Sequence, residues 1–177
     1  CYFKPAIKAI LMLAPLQKDN FEKIEQHFSQ DHFIYATRHT VTQKMIDQCD
    51  VIVGLGDLGY TIAKRLKAFD CYNIGVRRRL SHCPSCLDEI YTTDQLEDVL
   101  PRGDFVILAL PQSSQTYHLF DQQKLMLMKR DAVLINVGRG SVIATDDLVN
   151  VLNQGHLYGV GLDVVEEEPL PANHPLW

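Results

Sequence analysis

Between Gly54 and Gly59 the chain reads Gly54-Leu55-Gly56-Asp57-Leu58-Gly59, three glycines at the spacing that lets a backbone turn tightly and lie against a pyrophosphate. The first glycine allows the turn, the second admits the phosphates, and the third lets a helix pack closely on the preceding strand. Val51-Ile52-Val53 before the glycines is apolar enough for a buried strand, and Leu58, Ile62, Ala63, Leu66 and Phe69 after them recur at helical spacing. Strand, glycine turn and helix in that order predict a dinucleotide site, with the phosphates facing the amides of the helix's first turn. Gly54, Gly56, Asp57, Leu58 and Gly59 are therefore expected to contact the cofactor. About 20 residues further on, where a carboxylate would take the ribose 2′-hydroxyl of NAD, stands Val76-Arg77-Arg78-Arg79. Guanidinium groups at Arg77 and Arg78 suit bidentate contact with a 2′-phosphate, so NADP is the expected cofactor and NAD the alternative.

The elements that must position these groups alternate along the chain. The apolar run Ala9 to Ala14 reads as a buried strand, Phe21, Ile24 and Phe28 as a helix stripe, His32 to Ala36 as a strand, and Thr42 to Gln48 as a short helix. After the glycine helix, Ile74 to Val76 is the next strand. Thr93 is the expected N-cap of a helix over Asp94 to Leu100, and Phe105 to Leu110 is a strand ended by Pro111. Asp121 to Met128 reads as a helix, Ala132 to Val137 as a strand, Thr145 as the cap of a helix ending at Gly155, and Tyr158 to Val164 as the last strand. This alternation predicts an α/β fold, a doubly wound parallel sheet with right-handed crossovers.

Four further stretches agree with one another in order and spacing: Leu108-Ala109-Leu110-Pro111, Asn136-Val137-Gly138-Arg139-Gly140, Gly161-Leu162-Asp163-Val164 followed by Glu168-Pro169, and His174-Pro175-Leu176-Trp177. Together with the glycine loop they resemble the nucleotide-binding domain of the D-isomer-specific 2-hydroxyacid dehydrogenases, almost continuously from Gly54 to Trp177. Members of that family transfer a hydride between a nicotinamide cofactor and a 2-keto acid or D-2-hydroxy acid, the glyoxylate and hydroxypyruvate reductases among them. The resemblance implies a Rossmann-type domain over residues 54–177, preceded over 1–53 by part of a flavodoxin-like substrate domain. Val51 to Gly54 would then end the strand of one domain and start that of the other.

It also implies roles. Arg139 would bind the substrate carboxylate and polarise the adjacent carbonyl, a task suited to one guanidinium. Glu168, the acid just before the proline, would be the carboxylate that raises the pKa of a histidine acting as general acid. Asp163 would hold the nicotinamide carboxamide, and Leu110, Pro111 and Val137 would line the adenosine and nicotinamide pockets. Glu166 and Glu167 are expected to be solvated neighbours, and Tyr117 and His118 to serve packing, with an approach to the adenine side as the alternative. The family's histidine follows the glutamate in a Pro-His context that has no counterpart in residues 1–177; His174 is expected to be a turn or surface residue. We therefore expect a piece of a longer chain. The competing reading is a noncatalytic NAD(P)-binding regulator or remnant, since this fold also serves as a cofactor-sensing module.

Composition narrows the remaining classes. Of 177 residues 46% are apolar and 22% charged, the balance of a globular protein. Seventeen Lys and Arg against twenty-two Asp and Glu leave a net charge of −5, which argues against nucleic acid or an anionic membrane as partner. Ala9 to Ala14 is too short to span a bilayer, and five cysteines without a pairing pattern suit a reducing compartment. A cytoplasmic protein is expected, with a small 2-keto or 2-hydroxy acid as substrate and a homodimer as its assembly, the last from the resemblance. The Cys-x-x-Cys of His82-Cys83-Pro84-Ser85-Cys86 lacks a second pair at finger spacing, and no metal is expected.

Overall fold

The computed structural model describes residues 48–79 and 82–177. The four elements expected before Gln48 lie outside the described residues. The rest builds one six-stranded sheet from β1 (Cys49–Val53), β2 (Tyr72–Arg77), β3 (Glu89–Thr92), β4 (Phe105–Leu108), β5 (Val133–Asn136) and β6 (Gly159–Leu162). All five pairings are parallel, in the order β3-β2-β1-β4-β5-β6. This is a Rossmann sheet, whose strand order reverses between β1 and β4 and opens a crevice outside their carboxyl ends. Helices α1 (Asp57–Lys67), α2 (Leu96–Val99), α3 (Gln122–Leu127) and α4 (Thr145–Asn153) make the crossovers.

The alternation of side chains along each strand fills two cores. Val51, Val53, Ile74, Val76, Val106, Leu108 and Leu134 pack on one face with Leu96, Phe120, Leu148 and Val151. Ile52, Ile107, Val133 and Ile135 pack on the other with Ile62, Ala63 and Leu66 of α1. Both faces of β1 and β4 are sealed, which is why those strands read as unbroken apolar runs. Val51 to Val53, expected to be shared between two units, pair on both sides within this sheet as part of β1.

Several local expectations need correction. Thr92, not Thr93, caps the helical stretch after β3: Gln95 stands three residues on, and its side-chain oxygen accepts from both the backbone N–H and hydroxyl of Thr92. Leu58 and Phe69 do not join the buried stripe of α1. They are 49% and 43% exposed because the first turn projects beyond the end of β1 and Phe69 follows the helix end. Strand β3 lacks an apolar run, since it is an edge strand half-exposed along its length. Thr145 begins α4 after Ala144 as N-cap, and Gly155 turns the chain out of it at φ 64°.

The amino ends of the strands carry an unusual group. Asp50 lies in the central strand, 2% exposed, with Oδ2 lacking a hydrogen-bond partner among the described residues. Burial, helped by the charge at Asp104, pushes its carboxyl up to about 7 against a lowering hydrogen bond from the Cys71 thiol. The folded state therefore holds the Asp50 proton where the unfolded chain has released it, and stability falls as pH rises from about 4 to about 7 and then levels. The loss amounts to about 4 kcal/mol across that window. We expect Asp50→Asn to flatten this pH dependence and to raise the urea midpoint at pH 8 relative to the parent protein. A parent whose midpoint is no lower at pH 8 than at pH 5 would contradict it.

Candidate functional site

The carboxyl ends of β1, β4, β5 and β6 form the rim at which the expected residues meet. The chain leaves β1 at Gly54, which adopts φ 102° and donates its N–H to the Val76 carbonyl oxygen of β2 at 2.9 Å. A side chain is excluded there twice, by the left-handed backbone and by the Ala109 carbonyl oxygen, 2.6 Å from where a Cβ would stand. At Gly59 a Cβ would overlap the Gly54 carbonyl oxygen, so the third glycine lets α1 start directly over the turn. Gly56 differs: it is exposed, and a Cβ would meet nothing within 4 Å. No side chain caps α1, which leaves its first-turn amides facing that open space. An uncapped helix start beside an unobstructed glycine fits a phosphate group. Asp57 and Leu58 are exposed on the same turn.

Arg77 ends β2 and is half-buried; Arg78 follows and is exposed. The hydrogen bond from Gly54 to Val76 sets this arginine run immediately beside the glycine loop. On the other side of β1, Leu110 is buried and its side chain lies against Gly54, while Pro111 is exposed. Val137 is half-buried and donates its N–H to the Leu108 carbonyl oxygen at 3.0 Å, continuing the β4–β5 pairing into the turn.

That turn is built around Asn136, fully buried at the end of β5. Its side-chain oxygen accepts from Gly138 N–H at 3.1 Å and its amide donates to the Arg139 carbonyl oxygen at 3.0 Å. The next strand is bound in as well, because Asp163 N–H donates to the Asn136 carbonyl oxygen at 3.0 Å. Asn136 thus fixes the backbone that carries Arg139, a role not expected from the sequence. An asparagine ending an otherwise apolar strand was the available signal. Arg139 itself is exposed, with Nη1 donating to the Gly138 carbonyl oxygen at 2.8 Å. Asp163 is exposed too, and Glu168 is exposed with Oε1 accepting from Val165 N–H at 3.1 Å. Asp163 and Glu168 border a cavity of about 580 Å³ between β6 and α4 whose walls include Leu152, Leu162, Leu176 and Trp177; no glycine-loop residue lines it.

Glu166 is exposed, as expected, but its carboxylate is engaged by neighbouring side chains. His118 Nε2 lies 2.5 Å from Oε1, and Thr145 donates from Oγ1 at 3.1 Å and from its backbone N–H at 3.4 Å to Oε2. Burial raises its pKa, but the hydrogen bonds from His118 and Thr145 outweigh that and hold Glu166 below the usual carboxylate range. His174 occupies a turn, where its Nδ1 accepts from Leu176 N–H. Among the described residues no group of three His, Cys, Asp or Glu is placed to hold a metal ion, and no helix is long and apolar enough to cross a membrane.

The glycines separate stability from binding. Gly59→Ala should lower stability by about 3 kcal/mol, because backbone must move to admit the Cβ. Gly56→Ala should stay within about 0.5 kcal/mol of the parent while weakening dinucleotide binding at least about tenfold, because its Cβ fills the approach to α1. Urea denaturation and nucleotide titration on the two variants check this; a Gly56→Ala protein that binds normally would contradict the phosphate position.

Comparison with known proteins places this arrangement. A profile of the NAD-binding domain of the D-isomer specific 2-hydroxyacid dehydrogenases matches residues 10–177. A glyoxylate reductase of Pyrococcus horikoshii is 44% identical over 119 residues, 67% of this chain and 35% of that protein. One of Thermofilum pendens is 41% identical over 127 residues, 71% and 37% of the respective lengths. The chain thus spans little more than a third of these relatives. Among solved structures, a D-isomer specific 2-hydroxyacid dehydrogenase of Xanthobacter autotrophicus in complex with NADPH has a TM-score of 0.75 at 25% identity, covering 99% of this chain and 69% of that one. An NADPH-dependent glyoxylate/hydroxypyruvate reductase of Sinorhizobium meliloti in complex with NADP and sulfate has a TM-score of 0.72 at 27% identity, covering 97% and 52%. With the profile running through the glycine loop, the Arg139 turn and the Asp163–Glu168 segment, the chain belongs to the D-isomer specific 2-hydroxyacid dehydrogenase family, through its NAD-binding domain.

Proposed function

We propose that the protein containing this chain reduces a small 2-keto acid with NADPH, or oxidises the matching D-2-hydroxy acid, with NADH as a poorer substitute. The observation that supports this most directly is the convergence of the glycine loop, Arg139 and Asp163 on neighbouring strand ends, tied through Asn136. The glyoxylate reductases among the relatives, and the neighbours solved with NADPH or NADP, point to the same substrate and cofactor classes.

When bound, the cofactor supplies a hydride from its nicotinamide ring. The chain's residues do the rest. Amides at the start of α1 and the open face of Gly56 take the pyrophosphate, and Arg77 with Arg78 takes the 2′-phosphate by charge-assisted hydrogen bonds. Leu110, Pro111 and Val137 flank the nucleotide, and Asp163 accepts from the carboxamide so that one ring face is presented. Arg139 holds the substrate carboxylate and polarises the neighbouring carbonyl, stabilising negative charge as it develops on oxygen. Glu168 is the carboxylate that keeps an acid imidazole protonated until that oxygen needs the proton. Residues 1–53 contribute to the substrate-facing unit, with Cys49–Val53 also serving the nucleotide sheet. A homodimer in the cytoplasm completes the proposal.

Titration of the protein by the fluorescence of reduced nicotinamide tests the cofactor assignment. NADPH should bind more tightly than NADH, and replacing Arg77 and Arg78 by Gln should weaken NADPH at least about tenfold while leaving NADH unchanged. Equal affinities in the unaltered protein would overturn the preference. Oxidation of NADPH with glyoxylate, hydroxypyruvate or pyruvate tests the reaction, and Arg139→Gln should abolish it through loss of substrate affinity and of carbonyl polarisation together. Binding of NADPH without oxidation by any 2-keto acid would overturn the reaction class.

A further inference from the structure

The segment Asp163 to Glu168 carries two of the groups assigned above, yet both of their side chains are exposed and the segment follows the edge strand β6. Asp163 N–H is fixed to Asn136, and Val165 is fixed to Glu168 within the segment itself. The carboxylate that anchors the segment to other parts of the fold is Glu166, and its partners come from two places. His118 lies in the loop between β4 and α3, and Thr145 is the first residue of α4.

We propose that His118 and Glu166 are a positioning pair that sets the Asp163–Glu168 segment against the nicotinamide half of the cofactor. The inference rests on the NADP-binding reading above and deepens it. Neither residue touches the reacting atoms in this assignment; both act through Asp163, three positions before Glu166, and Glu168, two positions after it.

The pair is a built contact rather than a chance surface approach. His118 holds φ 49°, a left-handed conformation that side chains larger than glycine seldom adopt, and its N–H is committed to the Ser141 carbonyl oxygen at 2.8 Å. That conformation aims the imidazole at Glu166. The Tyr117 ring stacks on it with centroids 3.9 Å apart and planes 18° apart, and the Tyr117 hydroxyl reaches the same carboxylate oxygen at 3.4 Å. Both oxygens of Glu166 are thereby occupied, one by His118 and Tyr117, the other by Thr145. The carboxylate also sits at the start of α4, where the helix favours negative charge. The backbone beneath is equally constrained. A Cβ on Gly140, the neighbour of Arg139, would overlap the Val165 carbonyl group, so the Arg139 turn and the Glu166 segment are in contact. The pair fixes the last free coordinate of that contact, the swing of the segment along the rim.

Two ligands separate positioning from folding: NADPH, and adenosine 2′,5′-bisphosphate, which occupies the adenine half and has no nicotinamide. His118→Asn, which tolerates the left-handed backbone, and Glu166→Gln should each weaken NADPH about tenfold and leave the bisphosphate within about twofold of the parent. The losses should not multiply in the double variant, since both substitutions break the same His118–Glu166 contact. Equal weakening of both ligands, no weakening of either, or losses that multiply in the double variant would overturn the positioning role. A parent protein that binds neither ligand would instead overturn the NADP reading, and this inference with it.

Discussion

Four turns at the carboxyl rim of the sheet touch one another through main chain, and most of the site follows from that contact. Gly54 lies against Ala109, Gly138 against Leu110, Gly140 against Val165, and Gly59 against Gly54 itself, each with no room for a Cβ. Backbone groups this close cannot slide independently, because any shift drives a carbonyl oxygen into a neighbouring main-chain atom. The turn after β1 therefore fixes the turn after β4, which fixes the turn after β5, and that last turn touches the segment after β6 at Val165. Asn136 reinforces the chain of contacts at its middle, with hydrogen bonds to Gly138, Arg139 and, through its own carbonyl, Asp163. A fully buried polar side chain that satisfies its own turn is more specific than an apolar one, since it accepts a single backbone arrangement. Exposed groups such as Arg139 and Asp163 inherit fixed origins even though their side chains face solvent.

The parts of this arrangement that could be read in the sequence are those set locally. Three glycines after an apolar run demanded a tight turn into a helix, and the turn is there with Gly54 in the left-handed region. Strands β1, β4 and β5 declared themselves as continuous apolar runs because both their faces are buried. The edge strand β3 was hidden for the converse reason: Glu89-Ile90-Tyr91-Thr92 is half-exposed throughout and carries a mixed pattern. The surroundings of Glu166 were hidden more deeply. Its partners lie 48 and 21 residues away in the chain, and three consecutive glutamates offer no local reason to prefer the first. Arg139 and Glu168 stand out through the resemblance alone, since composition singles out neither.

The amino ends of the strands show what the carboxyl rim avoids. Glu89 there accepts from Arg102, Tyr72 and Tyr91, and the Arg102 contact above all holds its carboxyl down to about 2. Asp104 is similarly committed, to Lys129 and to Cys49 N–H. A few residues away Asp50 has no such partners, and burial drives its carboxyl the opposite way. Glu89 and Asp50 differ because one has a cation beside it and the other has apolar side chains and a thiol. Charges paired in this manner cannot serve a ligand; their donors are already taken.

That contrast accounts for the division of labour along the strands. At the amino end the polar groups answer one another, so that end serves stability and its titration reaches the whole fold through the central strand. At the carboxyl end the backbone is satisfied by neighbouring turns, while Arg78, Arg139, Asp163 and the start of α1 are left facing solvent. Between them lie the fully buried residues Val51 to Val53 and Leu108, whose packing resists relative movement of β1 and β4. A crevice that must hold a long, charged cofactor in one orientation needs this combination: rigid main chain underneath and unspent donors above. Disturbing Asp50 should therefore change how much protein is folded without changing what the folded protein binds, whereas disturbing the rim should do the reverse wherever a side chain, and not a close backbone contact, is altered.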